Sequence, residues 1–247
     1  MTAIRITGGR VHDPANDVDG EIRDVCIDGG KVVSDVGPDA RRIDARGMVV
    51  MPGGVDIHAH IAGPKVNAAR KLTADEHRDD PLDRTGLLRS GTGGLVPSTF
   101  ATGYRYSLLG YTTVVEAAAP PLAARQVLAE LRDTPMIDKA FLILMGNNQV
   151  LFELIRKSGG TGSAQLRDAV AWWLDATGGY GVKLVNPGGV EAFKQDNGNV
   201  HSLDDEVPGF AVTPRQILEA IGGAVDELGL PHPVHIHANN LGVAGNA

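Results

Sequence analysis

The sequence has a single cysteine, Cys26, in 247 residues, so no disulfide can form within the chain. That scarcity fits a reducing compartment. Positive charge is also short: the formal net charge is −7, and no Lys/Arg run is dense enough for a nucleic-acid footprint. No apolar run approaches the roughly 20 residues of a membrane-spanning helix, and no charged-then-apolar leader is read ahead of Ile4. The expectation is a soluble cytoplasmic protein with neither nucleic-acid nor membrane partners. Aromatics make up only 4%, against 32 glycines and 14 prolines, a balance common in βα enzymes with many tight connections. Hydrophobic residues reach 43%, enough to bury a sizeable core.

Residues 3 to 48 read as short strands with hairpin signals: Ile4-Arg5-Ile6-Thr7, Gly8-Gly9, Val25-Cys26-Ile27-Asp28, Gly29-Gly30 and Lys31-Val32-Val33. They predict a small β-sandwich domain over 1–48. From residue 49 strands alternate with helical stretches, the mark of a parallel sheet with crossover helices. The spacing predicts strands at Val49 to His60, Thr112 to Glu116, Ala140 to Met145, Gly181 to Val185 and Pro233 to His237. It predicts helices over Gln149 to Lys157, Ser163 to Ala176 and Thr213 to Leu228. Leu122, Val127, Leu128 and Leu131 have the spacing of a core-facing helix. The long connections, Ala62 to Tyr106 and about 190 to 212, exceed ordinary loop lengths. Five βα units over 49–247 are fewer than the eight of a closed barrel.

Chemistry concentrates at the ends of those strands. On a strand, side chains two apart share a face, so Asp56, His58 and His60 point the same way, as do His235 and His237. Two imidazoles on one face are half of a metal site, although a bare His-x-His is also met as a pair of satisfied histidines. His237 is the better-placed ligand on its strand, with His235 one step deeper, in support of it or in the core. Lys183 stands among Val182, Leu184 and Val185, where a buried ammonium is costly unless it is paired, deprotonated or chemically altered. A neutral amine can take up CO2 as a carbamate able to bridge two divalent ions. The alternative is a lysine snorkelling to the sheet edge. Asn147, Asn186, Asn239 and Asn240 follow three successive strands and could ring a site, or could simply serve as turn residues.

Pro52-Gly53-Gly54-Val55-Asp56-Ile57-His58-Ala59-His60, with a strand lysine and a later strand histidine, resembles the amidohydrolase superfamily of metal-dependent barrels. Three stretches, GGVDIHAHIAGPKVNAAR (53–70), GVKLVNPGG (181–189) and HIHANNLG (235–242), resemble the A subunits of formylmethanofuran dehydrogenase and the formyltransferase/hydrolase complex. The resemblance implies a (β/α)8 TIM-like barrel truncated after about five βα units. It implies metal ligands His58, His60, carboxylated Lys183 and His237, holding one or two divalent ions, zinc being expected. Asp56 and His235 are supporting or alternative ligands. Lys65, Asn67, Arg70, Asn147, Asn186, Asn239 and Asn240 are expected at the substrate, with Lys65, Arg70 and Lys71 candidate contacts for an anionic carrier tail or merely a solvated face. The implied activity is hydrolysis of the formamide C–N bond of a methanofuran-type carrier, or the reverse condensation, within a complex of several subunits. A strand-six histidine and a strand-eight aspartate, the catalytic proton shuttle, would lie beyond residue 247, leaving these residues inactive alone. Competing readings are a cyclic-amide hydrolase of the dihydroorotase or hydantoinase type and a metal-free scaffold.

Overall fold

Turn chemistry and strand alternation shape the N-terminal part. The computed structural model describes residues 2–72, 99–194 and 200–238, and the chain divides into two compact units, Met1–Gly54 and Val55–Ala247. In the first, β1 (Ile4–Asp13), β2 (Val18–Asp28), β3 (Lys31–Val33), β4 (Arg41–Asp44) and β5 (Val49–Val50) form one five-stranded mixed sheet. Its order is β3-β2-β1-β4, with β5 also on β1. The β2–β3 hairpin turns on Gly29 and Gly30, whose φ values of 56° and 78° suit a two-residue turn that most side chains would strain. Gly8-Gly9 does not break the chain as its turn signal suggests. It falls at a register shift inside a continuous β1. Val49 and Val50 pair in parallel with Arg10 and Val11 of β1, so the strand expected from Val49 to His60 is two strands in two sheets.

The second unit holds all but the first residue of β6 (Gly54–Ala59), followed by α1 (Pro64–Lys71), α2 (Phe100–Leu108), β7 (Tyr111–Ala119), α3 (Ala124–Asp133) and β8 (Asp138–Leu144). It continues through α4 (Gln149–Lys157), α5 (Ala164–Thr177), β9 (Gly181–Val185), α6 (Gly189–Lys194), α7 (Pro214–Glu227) and β10 (His235–His237). The five strands lie in chain order, β6-β7-β8-β9-β10, as a parallel half-barrel. Strands buried on both faces need continuous apolar runs, and Val114, Leu142, Ile143, Val182 and Leu184 supply them. Against them pack Leu151, Phe152 and Ile155 of α4, Leu166 and Val170 of α5, and Ile217 and Ile221 of α7.

Helix ends follow the capping chemistry. Asn148 accepts from the N–H groups of Val150 and Leu151, and Ser163 from that of Leu166. Thr213 and Gln216 form a reciprocal capping box. Each such cap is worth about 1 kcal/mol. Two expectations change. Segments read as long connections carry α1, α2 and α6. Leu122 is 96% exposed, because a short 3-10 turn at Pro121–Ala123 lifts it off the helical stripe. The close seat of α2 was not anticipated: a Cβ on Gly103 would stand 1.8 Å from the carbonyl oxygen of Pro135. Among the described residues no helix is long and apolar enough to cross a membrane.

Candidate metal centre

Ligand-type residues gather at the C-terminal ends of β6, β9 and β10. His58, His60, Lys183 and His237 line one cleft of about 400 Å³, with Lys65 of α1 at its wall. The rings of His58 and His60 are 5.4 Å apart, edge to face. Among the described residues no three His, Cys, Asp or Glu side chains already stand as a metal-holding cluster. The donor set at this cleft is three histidines and a lysine.

Lys183 is the anomaly. Its residue is 1% exposed, and its Nζ has no hydrogen-bond partner among the described residues. Burial pushes its pKa below that of an ordinary lysine. Burial likewise lowers the imidazoles of His58 and His237, and the Lys183 charge adds to the effect. His235 falls to about 4, first through burial, then through Lys183, His58 and His232. An electron-rich, proton-poor set of nitrogens is suited to ligation, because a metal binds the deprotonated forms.

Each histidine of the first strand has a partner on Nδ1. His58 Nδ1 lies 2.9 Å from His235 Nε2, so His235 stands behind His58 while His237 faces the cleft. His60, just past the end of β6, places Nδ1 3.2 Å from Glu116 Oε1 on β7. Both rings therefore have Nε2 clear of these contacts. Asp56 accepts from the backbone N–H of His58 at 3.0 Å and from the Tyr106 hydroxyl at 3.1 Å. Burial, then Asp56, raises the Tyr106 phenol to about 12. Asp56 thus braces the strand from below.

The remaining candidates separate. Asn67 is buried, and Asn67 and Arg70 belong to a network on Glu130: Asn67 Nδ2 donates to Glu130 Oε1 at 2.5 Å, and Gly63 N donates to Oε2 at 2.6 Å. Arg70 donates to Asn67 Oδ1 at 2.9 Å and to the Ile61 carbonyl. Neither lines the cleft. Asn147 donates to the Val185 carbonyl at 2.6 Å, and the Asn186 N–H donates to the His237 carbonyl at 3.0 Å, tying the ends of β8, β9 and β10 together. The Oδ1 atoms of both asparagines are buried without partners among the described residues. Asn239, Asn240 and the Lys71 side chain lie outside the described residues. Sequence reading missed Glu116, although a carboxylate inside Val114-Val115-Glu116-Ala117 is as conspicuous as Lys183 in its strand.

Residues 41–246 match the model of a family described as Amidohydrolase family. The chain is 48% identical to Protein FwdA of Methanocaldococcus jannaschii over 98% of its own length and 42% of that protein. It is 42% identical to the A subunit of the formyltransferase/hydrolase complex Fhc of Methylorubrum extorquens, over 98% of this chain and 43% of the other. A crystal structure of the formyltransferase/hydrolase complex (FhcABCD) from Methylorubrum extorquens in complex with methylofuran superposes with a TM-score of 0.81 at 39% identity, covering 97% of this chain and 43% of that one. The chain spans about two fifths of the length of these relatives.

Proposed function

Because the chain belongs to the amidohydrolase family, we propose that it supplies the first part of a metal-dependent site that breaks a formamide C–N bond. In this reading the site releases formate from a formylated methanofuran-type carrier, or runs the reverse condensation. The chain would work inside a complex with other subunits, in the place that its Methylorubrum relative holds in the Fhc complex, which its likeness to that relative supports.

The carrying observation is Lys183 Nζ, buried beside three histidines with no partner among the described residues. An amine biased towards neutrality attacks the carbon of CO2 and loses one proton, giving a carbamate. That converts an orphaned cation into an anionic oxygen donor. His58, His60, His237 and the carbamate of Lys183 would hold one or two divalent ions, zinc being the expected one. When bound, such an ion lowers the pKa of water from 15.7 towards about 7 and polarises a carbonyl. Lys65 offers positive charge to an anionic carrier tail. Among the described residues no carboxylate lines the cleft. In this reading the carboxylate that would shuttle the proton comes from outside the residues lining this cleft, and these 247 residues alone are proposed to be inactive.

The test uses protein of the relatives' full length, assembled with its partner subunits. Formate release from a formylated furan-methylamine carrier, lost in Lys183→Met together with bound zinc, is the expected result. Turnover of dihydropyrimidine rings without formamide cleavage would favour a cyclic-amide hydrolase. Metal-free protein that still assembles the complex would favour a scaffold.

A further inference from the structure

We infer that Glu116 is a positioning residue: it fixes His60 as the Nδ1–H tautomer and so leaves Nε2 as the lone pair facing the cleft. The inference rests on the metal-centre reading above. Glu116 is 1% exposed, deep in β7. Its Oε2 accepts from the backbone N–H groups of Ile61 at 2.7 Å and Ala62 at 3.0 Å. Its Oε1 accepts from Ala118 N at 3.1 Å and stands 3.2 Å from His60 Nδ1.

Three backbone donors converge on a carboxylate, which in its ionised form only accepts. The remaining approach, from His60 Nδ1, is satisfied only if that nitrogen carries a hydrogen. The same carboxylate holds the two residues that follow His60, so ring and backbone are anchored together. His58 differs, because its Nδ1 partner is another imidazole, His235 Nε2, and either nitrogen could carry the proton. Of the two, only the tautomer of His60 is dictated by its neighbour. A carboxylate behind a ligating histidine also raises ligand basicity, and loss of such partners costs roughly 10- to 100-fold in metal affinity.

The test begins with the metal-free, 15N-labelled full chain at pH 8, with long-range 1H–15N spectra and His60 assigned through His60→Asn. Wild type is expected to show Nδ1–H, and an Nε2–H spectrum overturns the inference. Glu116→Gln keeps the volume but sets an amide NH2 against either His60 or the backbone donors. It is expected to lose the Nδ1–H signature and to bind zinc roughly 10- to 100-fold more weakly by chelator competition. Glu191→Gln, at a buried carboxylate held by Gln149 and Lys194 instead, is expected to change neither readout. A folded Glu116→Gln chain with unchanged tautomer and affinity overturns the inference. If that variant does not fold, the wild-type spectrum decides. Absence of zinc affinity in wild type would sink the metal-centre reading, while the tautomer still judges Glu116.

Discussion

Replacing Lys183 by methionine should stabilise the metal-free chain while removing its capacity to hold a metal. The Nζ is buried with no partner among the described residues, and a buried polar group without compensation costs about 1–3 kcal/mol by mutational measure. Methionine keeps the length of the stem and fills irregular space well. Lys183→Met is therefore expected to gain about 1–3 kcal/mol at pH 8, with each kcal/mol raising Tm by about 2–4 °C in a domain of this size. The pH dependence has a defined sign. Burial lowers the folded-state pKa of Lys183 below 10.5, so between those two values the unfolded chain binds more protons and wild-type stability rises with pH. The advantage of methionine should shrink from pH 8 to pH 10. Urea titration in chelator and CO2-depleted buffer, followed by fluorescence of Trp172 and Trp173 on α5, measures both quantities. A variant less stable than wild type, or a gap that widens with pH, would refute the picture of an uncompensated buried amine.

His235 titrates at about 4 in the folded chain against 6.5 in the open. Acid should therefore weaken wild type as pH falls from 6.5 towards 4, and His235→Gln should make that stretch of a plot of unfolding midpoint against pH shallower, the remaining slope coming from His58 and His237. Lys65 lines the cleft whereas Arg70 is spent on Asn67 and Ile61. In the assembled complex Lys65→Ala should raise KM for an anionic-tailed carrier with kcat kept, and Arg70→Ala should lower Tm instead. Steady-state kinetics beside thermal melts separate the two.

Much of the half-barrel was legible because its signals are local. Ser163 and Thr213 announce helix starts, Gly178 a stop, and the apolar runs of β8 and β9 a sheet buried on both faces. The histidine spacing of β6 and the oddity of Lys183 likewise stand out in the sequence alone. What escaped depends on distant partners. Glu116 acquires its role only when β7 brings it against His60, Ile61 and Ala62, more than fifty residues earlier in the chain. Asn67 and Arg70 look exposed on a polar stretch until Glu130 draws them into a buried network. Leu122 fits a helical stripe, and only the 3-10 turn at Pro121–Ala123 takes it out to solvent.

Gly103 carries a consequence for how this chain can vary. A Cβ placed on it would stand 1.8 Å from the Pro135 carbonyl oxygen, so any side chain would collide with that peptide. One turn further along α2, Tyr106 reaches Asp56 beneath the first histidine. No single-nucleotide missense change in a glycine codon yields a residue without Cβ. Every such step at this position would lever the helix outward and loosen the tyrosine's hold on the strand. A gene lineage that keeps the site would keep this codon for glycine, although glycine here takes no part in the chemistry.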